Sequence, residues 1–222
     1  VEKILARAAG LASAAAGDVV EPKVDLAMSH ENAALVINQY QEIFAGTGRE
    51  PEVWDPSRIA IIFDHRVPAE SPKTATNQKK IREFVAANGI TKFHDIRGDV
   101  GGICHQILPE YGYVRPGYVV VGTDSHTTTH GALGAFSFGV GATEMASVWS
   151  LGFAVNIEVP ATIKVVVNAL AIWVATLVVP QVGVTGTVVS NQALTLLVVG
   201  ALFGVVNAII GVQIRPIDNL TI

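Results

Sequence analysis

The sequence predicts an α/β domain over residues 1–168, with a largely parallel sheet flanked by helices, followed by an atypical apolar tail over residues 169–222. Three observations lead there. The runs Ile59-Ala60-Ile61-Ile62-Phe63 and Tyr118-Val119-Val120-Val121 are apolar without alternation, as strands buried on both faces of a parallel sheet are. Segments with helical apolar spacing alternate with these runs, the pattern of a parallel α/β unit. Polar clusters follow the runs directly, Asp64-His65 after the first and Asp124-Ser125-His126 after the second. No internal repeat is visible.

Glu2 to Ala9 reads as a short helix with Ile4, Leu5 and Ala8 on one face and Gly10 ending it. Gly17-Asp18 reads as a turn, and Val19-Val20 and Val24 to Met28 as strands. Asn32 to Phe44 carries Leu35, Val36, Tyr40 and Ile43 at helical spacing, and Gly46 stops it. A helix is predicted from about Lys73 to Asn88 with Gly89 behind it, then a short strand around Phe93 and a loop over Gly98 to Gly102. The segment 131–141 is glycine-rich, a helix spans about Thr143 to Leu151, and Ala161 to Val167 is predicted as the last strand.

Composition excludes several function classes. The net charge is −4 and no Lys/Arg run or RNA-binding aromatic signature occurs, so nucleic acid is not an expected partner. The single cysteine, Cys104, rules out an intrachain disulfide framework and points to a reducing, cytoplasmic compartment. Val1-Glu2-Lys3 leads into an amphipathic pattern without a signal-peptide core, and a start on Val reads as a trimmed or incomplete N-terminus.

Three clusters carry chemistry: Asp64-His65, Cys104-His105 and Asp124-Ser125-His126. In open α/β sheets, ligands bind beyond the carboxyl ends of the strands, so two Asp/His pairs can converge on one cleft with His105 brought in by a loop. A carboxylate beside an imidazole orients it and favours the imidazolium, which can protonate a leaving group. A solvated loop pair is the bland alternative for either cluster alone. Ser125 between Asp and His invites a serine-hydrolase reading, but the Gly-x-Ser-x-Gly elbow is missing. Cys104 beside His105 reads as a buried small hydrophobe rather than a ligand or nucleophile, because neighbouring side chains point apart and one thiol holds no cluster. The glycines at 131, 134, 139 and 141 lack a phosphate-loop Gly-Lys-Ser/Thr ending, so they read as tight turns or close backbone approach. His30, His94 and His130 read as surface or core histidines.

Taken together, the strings Val24 to His30, Phe63 to Ala69, Gly102 to Gln106, Gly122 to Thr127 and Gly139 to Thr143 resemble the aconitase family in order and spacing, and in detail its 3-isopropylmalate dehydratase and homoaconitase large subunits. The resemblance covers roughly three quarters of the chain. It implies a hydro-lyase of leucine or related amino-acid biosynthesis that isomerises a hydroxy di- or tricarboxylic acid by losing water and adding it back. It further implies that His65, with Asp64, protonates the departing hydroxyl. His105 would pair with Asp124, His126 would hydrogen-bond the hydroxyl or water, and Ser125 would lie near substrate.

The resemblance also implies a [4Fe–4S] cluster, held in the family by three cysteines beyond the matched region. This chain has no cysteine after Cys104, so no metal ligand is assigned here and the cluster is not expected to be held by this chain alone. The family's glutamate beyond this first domain is missing too. Its general-base serine lies on a swivelling domain or small subunit, which becomes the expected partner. Leu35 stands near the position of a substrate-contacting glutamine of aconitases proper, which favours a branched or longer malate over citrate.

Residues 165–214 carry no charged side chain. Ala169 to Val189 and Ala193 to Ile214 are two apolar segments close to the roughly 20 residues that span a membrane. Gly200 and Gly204 have helix-packing spacing, so a membrane hairpin is one reading. Pro180, Gly183 and Gly186 interrupt the first segment, and its Val/Thr content suits strands. A stretch foreign to the domain, joined by a frameshift or chimeric junction, is the favoured reading. The rivals to the lyase reading are a non-catalytic, membrane-anchored or structural protein that reuses the domain, and a metal-dependent hydrolase using His65, His105 and His126.

The tail readings separate on fractionation. Truncation after residue 168 is expected to leave the solubility and folding of the domain unchanged or improved. Full-length protein that resists carbonate extraction from membranes, beside a soluble truncation, would instead establish the hairpin. Its ends would then face the cytoplasm, where Lys164 and Arg215 flank it.

Overall fold

A computed structural model of the chain describes residues 1–45, 47–97 and 101–161. The tail and its alternative readings lie outside the described residues. The helices are α1 (Glu2–Ala8), α2 (Ala33–Phe44), α3 (Pro72–Asn88), α4 (Cys104–Glu110) and α5 (Ala142–Leu151). The strands are β1 (Val19–Val20), β2 (Leu26–Ser29), β3 (Ile59–Ile62), β4 (Lys92–His94), β5 (Val119–Gly122), β6 (Phe136–Gly139) and β7 (Ile157–Glu158). β4-β3-β2-β5-β6 form a five-stranded sheet, parallel throughout, and β1 pairs antiparallel with β7.

The chain begins this sheet in the middle. It winds from β2 through β3 to β4 on one side, then returns to lay β5 against the other side of β2 and β6 beyond it. The reversal of direction between β2 and β5 is a topological switch point, which opens a crevice at the carboxyl ends of the strands.

Strand sequences explain the layers. Alternate residues face opposite sides of a sheet. Ala27, Ile59, Ile61 and Val121 pack with Val36, Ile37 and Tyr40 of α2, Ile81 and Val85 of α3, and Met145 and Trp149 of α5. Leu26, Met28, Ala60, Ile62 and Val120 pack on the other face with Cys104, Ile107 and Leu108 of α4. Both faces are covered, so the central strands β2, β3 and β5 are apolar at nearly every position. α1 packs Leu5 and Ala8 on Val20, Val119 and Val159.

Helix ends follow local chemistry. Ser71 caps α3 by accepting from the Thr74 amide, Pro72 opens the first turn, and Gly89 closes the helix in the left-handed region at φ 65°. In α2 the buried stripe is Ala33, Val36, Ile37 and Tyr40, whereas Leu35 and Ile43, expected on that stripe, are exposed. Ala33, Val36, Ile37 and Tyr40 share the helix face turned to the core.

Three expectations are corrected. Cys104 and His105 lie on the first turn of α4, not in a loop, because Cys104, Ile107 and Leu108 form a helical stripe onto the sheet. The glycine-rich segment contains an edge strand, β6, preceded by a 3-10 helix over Ser125–Leu133. The final strand of the described residues is Ile157–Glu158. Ala161 is not in a strand, and the rest of the predicted Ala161–Val167 strand, like Gly46, lies outside the described residues.

Two glycines let β5, β6 and the following turn close up. A Cβ on Gly122 would collide with the Thr127 side chain. A Cβ on Gly139 would lie 2.8 Å from the Asp124 carbonyl oxygen and 3.3 Å from Ser125 Cα. Overpacking of this kind costs about 1–3 kcal/mol. Gly139→Ala is therefore expected to lower the unfolding free energy by that amount, read as a lower urea midpoint at constant m-value; a wild-type midpoint would show that the turn at Asp124 gives way freely.

Candidate functional site

Three adjacent strands deliver polar residues to the same edge of the sheet. β2 ends at Ser29 and leads to His30-Glu31. β3 leads through Phe63 to Asp64-His65, and β5 ends at Gly122 before Thr123-Asp124-Ser125-His126. Asn32, at the head of α2, ties the first and third of these ends together: its side-chain amide donates to the Thr123 carbonyl (2.9 Å) and its carbonyl accepts from the Thr123 hydroxyl (2.6 Å). Cys104 and His105 arrive from α4, which packs across the sheet.

Two carboxylates organise the site. Asp64 Oδ1 lies 2.6 Å from His65 Nδ1, and Asp64 Oδ2 accepts from the Cys104 backbone amide at 2.6 Å. Asp124 Oδ2 lies 2.5 Å from His105 Nε2, and Asp124 Oδ1 lies 3.2 Å from His126 Nδ1. Donor atoms of Asp64, His65 and Cys104 lie within 4.8 Å of one another, as do those of Cys104, His105 and Asp124. One thiol thus stands within reach of both Asp/His pairs, so the structure brings Asp64, His65, His105, Asp124 and His126 to one place. Ser125 opens the 3-10 turn and is exposed beside them.

The electrostatics distinguish the histidines. Burial opposes charge on His65, but the Asp64 carboxylate outweighs it, aided by Asp124 and Glu31, and lifts the pKa above its ordinary 6.5. Burial works against ionised Asp124 as well, yet hydrogen bonds from His105 and His126 hold its pKa far below the carboxylate range. Burial, then Asp64, pushes the Cys104 thiol up, so it stays protonated.

Three residues without a place in the sequence-based site belong to this region. His130 is fully buried, 3.3 Å from His105 Nδ1 through its Nε2, and burial together with the His105 charge holds its pKa down at about 4. His30 stacks on His65 with ring centroids 3.9 Å apart and planes 13° apart. Glu31 is buried and accepts from the backbone amides of His65 (3.1 Å) and Arg66 (2.8 Å). The available signal was positional: His30-Glu31 follows the strand at Val24–Met28 as Asp64-His65 follows its own. His94, by contrast, is buried away from the cluster, near Tyr111 and Tyr113.

The opposite edge of the sheet carries a cleft of about 500 Å³ lined by Arg7, Lys23, Asp25, Trp54 and Arg58. There Asp25 pairs with Arg7 (2.9 Å) and Arg58 (3.3 Å).

An iron–sulfur cluster needs several thiolates. The single Cys104 is buried against the sheet, beside a carboxylate that disfavours its ionisation. These residues do not fit the role of cluster ligands. Among the described residues, His30, Glu31 and His65 form a further set of donors within 4.8 Å of one another.

Residues 5–176 match the family described as Aconitase family (aconitate hydratase). The chain belongs to the aconitase family. The 3-isopropylmalate dehydratase large subunit 1 of Methanopyrus kandleri is 51% identical over 152 residues, 68% of this chain and 34% of that protein. The methanogen homoaconitase large subunit of Methanocaldococcus jannaschii is 46% identical over 166 residues, 74% of this chain and 37% of that protein. The 3-isopropylmalate dehydratase large subunit of Aquifex aeolicus is 44% identical over 163 residues, 73% and 36% respectively. The chain thus spans about a third of the length of the curated relatives it matches. Among the described residues no helix is long and apolar enough to cross a membrane.

Glu31 supplies a pH signature. Burial alone would raise its pKa, but the bonds from His30 and from the Arg66 and His65 amides bring it from 4.5 to about 2. As pH falls, the unfolded chain takes up this proton first, so the stabilisation is complete above the ordinary pKa of 4.5 and is lost as pH falls toward 2. Glu31→Gln is expected to flatten the fall in urea-derived stability across that window. An unchanged slope would assign the acid limb to other groups, Asp124 first among them.

Proposed function

We propose that this domain supplies the acid/base histidines of a hydro-lyase that isomerises a hydroxy di- or tricarboxylic acid of the 3-isopropylmalate or homoaconitate type. The observation that carries the reading is the Asp64–His65 pair. With Nδ1 engaged by Asp64 at 2.6 Å, the second nitrogen, Nε2, is the one available to substrate, and the neighbouring carboxylate favours the protonated ring.

In the dehydration step the carbon–oxygen bond breaks and its electron pair leaves on oxygen. That oxygen takes the Nε2 proton of His65, so that water departs and His65 is left neutral, its Nδ1 proton still donated in the hydrogen bond to Asp64. The proton on the adjacent carbon goes to a base that this chain does not supply, and the electrons of that bond form the double bond. Rehydration reverses the roles, His65 accepting a proton from water. Asp124 holds His105 and His126 on the other side of the cleft, where His126 hydrogen-bonds the leaving or entering oxygen and Ser125 lies beside substrate.

Because Cys104 does not fit as a cluster ligand, no step is drawn through a cluster. In the complete enzyme, the [4Fe–4S] cluster would be held by cysteines outside this chain and would supply Lewis-acid chemistry at the hydroxyl. The relatives named large subunits support a small-subunit partner that carries the base. The free Cys104 thiol fits a cytoplasmic enzyme.

In an assembled enzyme containing this domain, His65→Ala is expected to lower kcat by about 10²–10⁴-fold with a much smaller change in KM, since a general acid acts mainly in the transition state. Asp64→Asn should reproduce part of the loss. Near-normal turnover of His65→Ala would remove the residue from the mechanism.

A further inference from the structure

The ladder of the sheet stops at Phe63, whose amide bonds to the His94 carbonyl at 3.0 Å. The next three residues, Asp64, His65 and Arg66, have no strand partner, yet the proposed proton donor sits on the middle one. Asp64 fixes the His65 ring at Nδ1 alone, and a single bonded atom is a pivot about which a ring can tilt. Something else must set the backbone and the ring plane.

We propose that Glu31 and His30 are positioning residues for His65. Glu31 clamps the backbone at His65 and Arg66, and His30 fixes the plane of the His65 ring. The inference rests on the reading of His65 as the proton donor.

The clamp uses both oxygens of one carboxylate: Oε2 takes the His65 amide at 3.1 Å and Oε1 takes the Arg66 amide at 2.8 Å. Only a carboxylate presents two acceptors to two consecutive amides, because a glutamine would turn an N–H donor toward one of them. Glu31 has 3% of its side chain exposed, so water does not compete for those bonds. The Gln78 side chain donates to the Arg66 carbonyl at 2.9 Å, so Arg66 is held at both its amide and its carbonyl.

The ring plane is set by the stack. His30 lies over His65 at 3.9 Å between centroids with the planes 13° apart. Two imidazolium rings would repel in this arrangement. Each has a carboxylate at its Nδ1, Asp64 at 2.6 Å for His65 and Glu31 at 3.6 Å for His30, so the stack tolerates a charged His65. Asp64, Glu31, His30, Asp124 and Cys104 are the titratable groups that face His65. Arg66 is paired with Glu70 at 3.1 Å. Pivot, clamp and stack together determine where Nε2 points.

The test reads the ring directly in the full chain, without substrate. The exchange with water of the His65 Nδ1 proton held by Asp64, and the tautomer of the ring, are followed by nitrogen-edited NMR in wild type, Glu31→Gln, His30→Ala and His30→Phe. Glu31→Gln and His30→Ala are each expected to speed that exchange about tenfold or more, the order expected when one charge-assisted hydrogen bond is weakened. His30→Phe, which keeps a ring to stack, should retain the wild-type rate. A purely structural role would lower the melting temperature without separating His30→Ala from His30→Phe. If Glu31→Gln does not fold, the two His30 variants decide. Wild-type exchange and tautomer in His30→Ala would overturn the proposal. That outcome is distinct from failure of the catalytic reading, which would appear as an active His65→Ala enzyme and would leave these NMR results unchanged.

Discussion

β2 is paired on one side with β3 and on the other with β5, and all three run in the same direction. Parallel pairing brings their carboxyl ends to one edge, and the reversal of winding between β2 and β5 leaves that edge uncovered by a crossover. The side chains of the candidate site depend on this arrangement. Because both sheet faces are packed under helices, the central strands β2, β3 and β5 are apolar except for Ser29 at the end of β2 and Gly122 at the end of β5. The first residues free to be polar are those just beyond the ladder, and there the sequence places His30-Glu31, Asp64-His65 and Asp124-Ser125-His126.

The carboxylates then divide the work. Asp64 spends one oxygen on an imidazole and the other on the first amide of α4, so it couples a histidine to the helix that carries Cys104 and His105. Asp124 spends both oxygens on imidazoles. The same two effects, burial and a nearby charge, produce opposite results in different histidines. A neighbouring anion overcomes burial at His65 and raises its pKa. At His130 burial and the His105 charge act together and hold the ring neutral. Asn32 and Thr123 complete the arrangement by joining the ends of β2 and β5 through paired hydrogen bonds.

Much of this was legible in the sequence for a physical reason. A doubly covered parallel strand must be continuously apolar, so Ile59–Phe63 and Tyr118–Val121 announced themselves, and the residues after them followed. What was hidden lacked that contrast. α4 is a single short stripe, Cys104-Ile107-Leu108, interrupted by Pro109, and no long periodic pattern marks it. β6 lies at the sheet edge with half-exposed residues between glycines, so it reads as a turn. His30 and Glu31 were invisible as a pair because their partners are the ring and amides of residues 34 to 35 positions away. Likewise His130 gains its meaning only from the 3-10 turn that folds it beneath His105. Leu35 shows the opposite error, an apolar residue at helical spacing that the fold leaves in solvent.

Exposure is distributed unevenly among the groups at this edge. The anions point inward: the side chains of Glu31, Asp64 and Asp124 are 3%, 6% and 11% exposed. Two of the imidazoles point outward, His65 at 41% and His126 at 78%, while His30 and His105 are largely covered and His130 is buried. Each carboxylate is consumed by hydrogen bonds within the protein, so its charge stabilises the imidazoles without facing an incoming ligand. The most exposed polar atoms at this edge are therefore imidazole nitrogens rather than carboxylate oxygens. The buried anions and the exposed ring of His65 thus form one arrangement, in which Asp64, Asp124 and Glu31 together favour the protonated imidazole.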